Sequence, residues 1–317
     1  MRRTVKHVFK SKEVITDITG HLPNSCKTKL SYAKAEKIVF KEGYMYIQYF
    51  SHYLFLFEHI TIELHSDLEA GYKNEKNRLF LFMMLKGKIS FFTADSIPIT
   101  QAEANTCYAT YNRRGEFHYH LAKGSHQFCH IMPRTAWLGR DDTYYPRIGQ
   151  FLRSMKSDRK LFGHMSPCTI DKGLHRLLEQ LFDLNTDDII ELEISIIKSV
   201  KEIINHYQLL LDEKYASRVY LMKQYIDKNY TDIHLSNKTL ADHYFTTEKT
   251  LIQTFKQEFG ITPHNYLIQT RMEKAKSLII IDKILPSQVY QHVGYIDFRS
   301  FRKQFKKHFG TTPSHCC

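Results

Sequence analysis

Residues 255–263 read FKQEFGITP, and residues 305–313 read FKKHFGTTP. The copies agree at Phe255/Phe305, Lys256/Lys306, Phe259/Phe309, Gly260/Gly310, Thr262/Thr312 and Pro263/Pro313. So many coincidences at fixed spacing indicate an internal duplication. Each copy has a physical grammar. Two Phe four residues apart share one face of a helix. The Gly that follows can turn left-handed and end the helix. Thr then Pro supplies an N-cap and a favoured first helical residue. Each copy therefore predicts a helix end, a short turn and a new helix start.

The residues before each copy extend the pattern. LSNKTLADHYFTTEKTLIQTFKQEFG (235–260) holds Leu240 and Ala241 on a first short helix. Phe245–Thr246–Thr247 forms the turn, and Leu251 and Phe255 anchor a second helix. LPSQVYQHVGYIDFRSFRKQFKKHFG (285–310) repeats the plan, with Val289 and Val293 facing in, Gly294 turning and Asp297 capping. Phe301, Phe305 and Phe309 are its anchors. Between the two lies PHNYLIQTRMEKAKSLII (263–280), with Leu267, Arg271, Ala275 and Leu278 on one side. At 1.5 Å per residue such a helix spans about 27 Å. Two helix-turn-helix units on a rigid connector suit two successive major grooves, about 34 Å apart.

The first two thirds of the chain have another texture. Short aromatic and β-branched runs predict strands at 37–40, 44–50, 59–64, 78–85, 88–93, 107–112, 116–121 and 126–132. Gly-containing turns separate several of them, which predicts an antiparallel sandwich or small barrel of cupin-like type. Residues 1–35 read as irregular. Helices are predicted at 147–157, about 171–184 and about 187–211. The last carries Ile190, Ile194, Ile197, Val200, Ile203 and Ile204 as an apolar stripe. Segment 217–230 opens the next pattern with Val219, Met222, Tyr225 and Ile226 on one face. The fold class is thus α+β, with a β-rich domain over 1–212 and an all-α domain over 213–317.

The chain has 317 residues, 45 Lys and Arg against 33 Asp and Glu, and a formal net charge of +12. That balance favours a polyanionic partner, nucleic acid first. Cys26, Cys107, Cys129, Cys168, Cys316 and Cys317 make no CxxC or zinc spacing, so they read as reduced thiols. The Cys316–Cys317 pair reads as a frayed tail. MRRTVKHVFKSKE has no apolar segment of a signal peptide. The greasy run at 79–85 is too short to span a bilayer. The predicted location is the cytoplasm, at the nucleoid, with no membrane partner.

Residues 216–315 resemble the DNA-binding domain of the AraC/XylS family of bacterial transcription regulators. The matching residues are Leu240–Ala241, Leu251, Phe255–Lys256 and Gly260 in the first unit, then Arg271 and Ala275 in the connector. In the second unit they are Val293–Gly294–Tyr295, Asp297, Phe301, Phe305–Lys306, Gly310 and Thr312–Pro313. The resemblance implies an effector-responsive activator that binds double-stranded DNA and contacts RNA polymerase, and a homodimer formed through the N-terminal domain. It places base reading at Lys249, Thr250, Gln253, Arg299, Arg302 and Lys303. Gln suits adenine, and Arg or Lys suits guanine. Lys256, Lys306 and Lys307 suit phosphates. Three positions depart from the family pattern. Tyr290 replaces a small residue, Pro286 an aliphatic one, and Phe245 a Gly-like turn residue.

No catalytic residue and no cofactor are assigned. His118 and His120 share one strand face, as cupin metal ligands would, but no acidic ligand follows; Leu121–Ala122–Lys123–Gly124 stands there. His126 and His130 lie nearby. Asp141–Asp142 is an unpaired acidic run, and no GxGxxG, Walker, GxSxG or HExxH pattern occurs. Other readings are a cupin-type metalloenzyme or metal sensor fused to a DNA-binding domain, and a constitutive dimeric regulator without a ligand. An alkyl-transfer repair protein would need a Cys-rich zinc cluster near the N-terminus. The effector-binding residues are unassigned, as are the operator and the sign of regulation.

Overall fold

The computed structural model describes residues 5–138, 144–157 and 161–315. Asp141–Asp142 and Cys316–Cys317 lie outside the described residues. The chain divides into two compact units, Met1–Asp212 and Glu213–Cys317.

Unit 1 opens with β1 (Val5–Val8), β2 (Val14–Asp17), β3 (Lys34–Phe40), β4 (Gly43–Ser51), β5 (Phe55–Leu64) and β6 (Leu68–Asn74). It continues with β7 (Arg78–Lys86), β8 (Lys88–Thr93), β9 (Pro98–Glu103), β10 (Thr106–Asn112), β11 (Gly115–Leu121) and β12 (Gly124–Pro133). Then come α1 (Thr135–Leu138), α2 (Pro146–Ser157), β13 (Phe162–His164), β14 (Cys168–Thr169), α3 (Lys172–Phe182) and α4 (Ile189–Ala216). The small sheet runs β1-β6-β11-β8-β9, and the large one β13-β10-β7-β12-β5-β4-β3-β2, with β14 also on β10. Their inner faces share one core, in which Met45, Ile47, Ile60 and Phe82 meet Ala70, Ile89, Tyr119 and Leu121. A cavity of about 60 Å³ remains between the sheets, walled by Val5, Ile60, Phe82, Tyr108 and Phe128 among others.

The large sheet is covered on its other face too. Phe182 of α3 stacks on Phe57 with ring centroids 6.3 Å apart. The Tyr207 hydroxyl of α4 accepts from the Ala109 amide at 2.8 Å. Burial on both faces is why β7 reads as the continuous run RLFLFMML instead of alternating. All eight predicted strands form. β6 and β9 also form, unpredicted. LEAGYKN and PITQAE carry few large apolar residues, and β6 is held by ladders to both β1 and β11. β1 and β2 sit at sheet edges within the stretch expected to be irregular.

In α4 the buried stripe is Ile196, Val200, Ile203, Ile204, Tyr207 and Leu211. Ile190 and Ile194, expected on that stripe, are 71 % and 60 % exposed. The helix turns them away because Ile196, not Ile194, is in phase with Val200 and Ile203. The four described cysteines are buried.

Two adjacent residues of β5 handle polarity in the interior. Glu58 accepts from His130 Nε2 at 2.8 Å, with both side chains buried. His59 is completely buried, and its Nε2 accepts from the Gln127 amide nitrogen at 2.8 Å. Burial drops its pKa from 6.5 to about 4, so the ring is neutral in the folded unit. The unfolded chain therefore binds a proton that the folded one refuses. The resulting stability is full above pH 6.5 and is lost as pH falls towards 4, an effect on the order of 3 kcal/mol. Urea unfolding of unit 1 at pH 7 and pH 4.5 is expected to show this loss. His59→Gln should flatten the dependence in that window; an unchanged slope would remove His59 as its source.

Candidate nucleic-acid interface

Unit 2 contains α5 (Arg218–Asn229), α6 (Asn237–His243), α7 (Glu248–Phe259), α8 (Pro263–Ile280), α9 (Val289–His292) and α10 (Phe298–Phe309). Its helices start where side-chain caps permit. Ser236 and Thr239 form a capping box on α6. Thr247, Thr262 and Asp297 accept from the Thr250, Asn265 and Ser300 amides. α8 has Pro263 in its first turn and covers the predicted 18 residues. The repeated phrase is repeated in geometry as well. Gly260 and Gly310 end α7 and α10 at φ 71° and 77°. Phe255–Phe259 and Phe305–Phe309 have ring centroids 4.6 and 4.7 Å apart.

Two small cores hold the unit. Leu240, Ala241, Leu251, Phe255 and Leu267 pack with Met222 and Ile226 of α5. Met272, Ala275, Ile279, Val289, Val293, Phe301 and Phe305 form the other. α8 serves both. Leu278 of the predicted stripe packs half-buried against the second core, and Ile279, in phase with Met272 and Ala275, is buried beside it.

With these anchors inward, the opposite faces of α7 and α10 are exposed. Lys249, Thr250, Gln253 and Lys256 are exposed on α7, and Arg299, Arg302, Lys303, Lys306 and Lys307 on α10. The structure thus groups the nine residues on two helix faces. They differ in character. The sequence of α10 carries five Lys or Arg and no carboxylate, whereas α7 mixes Lys249 and Lys256 with Glu248 and Glu258. The Thr250 hydroxyl lies 2.9 Å from that of Thr247, so it also takes part in the cap. Asp297 accepts from the Ser300 amide at 2.8 Å, which holds its carboxyl below the usual range.

The three departures have local solutions. Phe245 occupies the turn at φ 49° with its ring 94 % exposed. A non-glycine residue held there stores about 1–3 kcal/mol. Pro286 is not the first helical residue. It is the second residue of a turn closed by Gln288 N–H donating to Leu285 O at 2.8 Å, which suits its fixed φ. Tyr290 is half-buried beside Phe298, 6.2 Å between centroids, and α9 is a single turn.

Arg271 is only 8 % exposed and joins the two helix-turn-helix cores of unit 2. Its Nε donates to Tyr230 O at 2.8 Å and its Nη2 to Asp232 O at 2.7 Å. Its guanidinium lies 5.5 Å from the Tyr295 ring centroid. Gly294, at φ 75°, closes the other side; a Cβ there would sit 2.7 Å from Tyr230 O and 2.8 Å from Arg271 Nη2. The connector arginine was legible as a match, but its role was not, because its partners are backbone carbonyls.

In unit 1, the weak metal candidates do not form a site. His118 and His120 lie on the outer face of β11, where Phe117, Tyr119 and Leu121 take the inner one. His120 Nε2 lies 4.0 Å from Asp67 Oδ2. His126 is used structurally: Nε2 donates to Ala122 O and Nδ1 accepts from the Lys88 amide. Among the described residues no group of three or more His, Cys, Asp or Glu could hold a metal.

Two helix pairs, α6–α7 and α9–α10, sharing the connector α8 define a double helix-turn-helix protein. Residues 240–316 match the family described as "Helix-turn-helix domain". The chain is 31 % identical over 165 residues to the "Probable transcriptional regulator LumQ" of Photobacterium leiognathi, covering 50 % of this chain and 64 % of that one. It is 28 % identical over 101 residues to the "HTH-type transcriptional activator RhaS" of Escherichia coli O157:H7, covering 32 % and 36 %. A "Lactose operon transcription activator" of Staphylococcus xylosus is 34 % identical over 90 residues, 28 % of this chain and 32 % of the relative. The chain thus covers less than two thirds of the length of each of these relatives. Its C-terminal unit is an AraC/XylS-type helix-turn-helix domain.

Arg271→Ala would strip donors from two carbonyls, each costing about 1–3 kcal/mol when left buried and unpaired. Hydrogen exchange of α8 amides is expected to show the largest loss of protection in Arg271→Ala and an intermediate loss in Arg271→Lys. Equal protection in all three proteins would deny Arg271 this role.

Proposed function

We propose that this protein is a sequence-specific DNA-binding transcription regulator, and an effector-responsive activator. The observation that carries the reading is the pair of exposed, cation-bearing faces on α7 and α10, set on opposite ends of one connector. The connector's length of about 27 Å suits entry of both helices into adjacent major grooves of one duplex. Lys249, Thr250 and Gln253 of α7, and Arg299, Arg302 and Lys303 of α10, read base edges. Lys256, Lys306 and Lys307 hold phosphates and set register. The all-cationic face of α10 supplies more of the salt-dependent affinity, and the mixed face of α7 more of the sequence choice.

Unit 1 is the sensory and dimerisation domain over residues 1–212. The cavity between its sheets is the effector site. Ile190 and Ile194, exposed on α4, contribute to a homodimer surface with a second copy of the chain. Activation proceeds through contact with RNA polymerase, in the cytoplasm at the nucleoid. No helix among the described residues is long and apolar enough to cross a membrane.

Selection of preferred duplexes from random-sequence DNA, followed by binding titrations at several salt concentrations, tests the assignment. Gln253→Ala and Arg299→Ala should each cost about 1–3 kcal/mol at the preferred duplex and relax preference at one position. The double variant Lys306→Ala/Lys307→Ala should weaken all sequences alike and lower the salt slope by about 2. Unchanged sequence preference in the Gln253 and Arg299 variants would refute the reading-helix assignment. Ile190→Asp/Ile194→Asp should shift the sedimenting species from dimer to monomer; an unaltered mass would place the dimer surface elsewhere.

A further inference from the structure

The chemistry of the cavity in unit 1 is narrower than its position requires. None of its wall residues is Lys, Arg, Asp or Glu. Its rings are set at angles around one space: Phe82 lies 5.6 Å from Phe91 at 90° and 5.2 Å from Phe128. Several polar wall groups already bond one another. Asn112 Nδ2 donates to the Tyr72 hydroxyl at 2.7 Å, and Thr110 Oγ1 to Asn112 Oδ1 at 3.2 Å. His7 Nδ1 pairs with the Tyr119 hydroxyl at 3.2 Å, and His130 donates to Glu58.

Tyr108 is different. It is 1 % exposed and lines the cavity, with its ring packed 5.5 Å from Phe82 and 6.1 Å from His164. Its hydroxyl has no hydrogen-bond partner among the described residues. Burial pushes the phenol well above its ordinary pKa, so the oxygen keeps its proton and offers a donor. A ligand acceptor that reaches this hydroxyl would gain a hydrogen bond. A carboxylate or phosphate would enter this space with no Lys or Arg to meet it. A sugar would bring several hydroxyls to walls whose polar groups are mostly bonded to each other. Volume limits the rest. At about 10–15 Å³ for each water-sized occupant, 60 Å³ accommodates roughly four to six non-hydrogen atoms.

We propose that the cavity binds a small, uncharged, mainly hydrocarbon ring compound with one hydrogen-bond acceptor, and that the acceptor bonds the Tyr108 hydroxyl. This ligand class rests on the reading of the cavity as the effector site. The apolar rings supply most of the affinity, and Tyr108 supplies orientation and choice of functional group.

Four probes of similar size separate the alternatives on the full chain: cyclopentanone, cyclopentane, butyrate and glycerol, followed by ligand-observed nuclear magnetic resonance titration. Cyclopentanone is expected to bind saturably and to be displaced by cyclopentane. Butyrate and glycerol should neither bind nor compete. The near-isosteric Tyr108→Phe should weaken cyclopentanone about fivefold and leave cyclopentane unchanged, as loss of one neutral hydrogen bond requires. Failure of cyclopentanone to saturate, competition by butyrate or glycerol, or an equal effect of Tyr108→Phe on both ring compounds would overturn the assignment. DNA affinity measured on the same samples separates this from the effector reading. Saturable cyclopentanone binding with unchanged DNA affinity would sink the effector role and keep the ligand class. A DNA response to butyrate or glycerol, with their binding in the cavity, would do the reverse.

Discussion

The guanidinium of Arg271 is the contact on which the C-terminal unit depends. One side chain in the middle of α8 takes up two backbone carbonyls that follow α5 and lies against Tyr295 of the second turn. Each helix-turn-helix has a core of a handful of residues, too small for much stability alone. α8 contributes to both cores, and Arg271 seals the seam between them. Gly294 completes the joint by leaving out the one Cβ that would collide with Tyr230 O and Arg271. The spacing of α7 and α10 is therefore a property of a packed joint.

The duplicated units are not equal. Their recognition helices share length, cap geometry and Phe spacing. Their leading helices diverge. α6 has seven residues, a capping box and buried Leu240–Ala241. α9 has four residues, no side-chain cap, and Tyr290 at its flank. The second unit has a plainer entry and a more basic reading helix. Its hold on α10 comes from Asp297 and the aromatic stack Phe301–Phe305–Phe309.

Unit 1 solves a different problem. A sheet buried on both faces must accommodate polar residues that sequence alternation does not exclude from the interior. Glu58 pairs with His130, and His59 is kept neutral by burial beside Gln127. Around them the aromatic residues leave a space that polar groups border but no Lys, Arg, Asp or Glu lines. His118 and His120 illustrate why strand phase matters more than residue type. The same two histidines one position along β11 would face the core.

Local rules made much of this legible. Caps, left-handed glycines and four-residue apolar spacing act within one turn, so the repeated phrase disclosed both recognition helices, their ends and the connector. The eight large-residue strands were equally readable, because their side chains announce burial. Strands β6 and β9 were not, since neighbouring ladders stabilise residues of little intrinsic strand character. Nor was the true stripe of α4, whose phase is chosen by what it packs on. The sequence by itself determined the helix-turn-helix units and the candidate contact residues, because those depend on spacing along one helix. Only the tertiary structure decided which histidines face solvent, that Tyr108 lines a cavity, and that Arg271 bonds carbonyls some 40 residues away. Those facts depend on groups brought together across the chain, and no local pattern encodes which group will stand opposite.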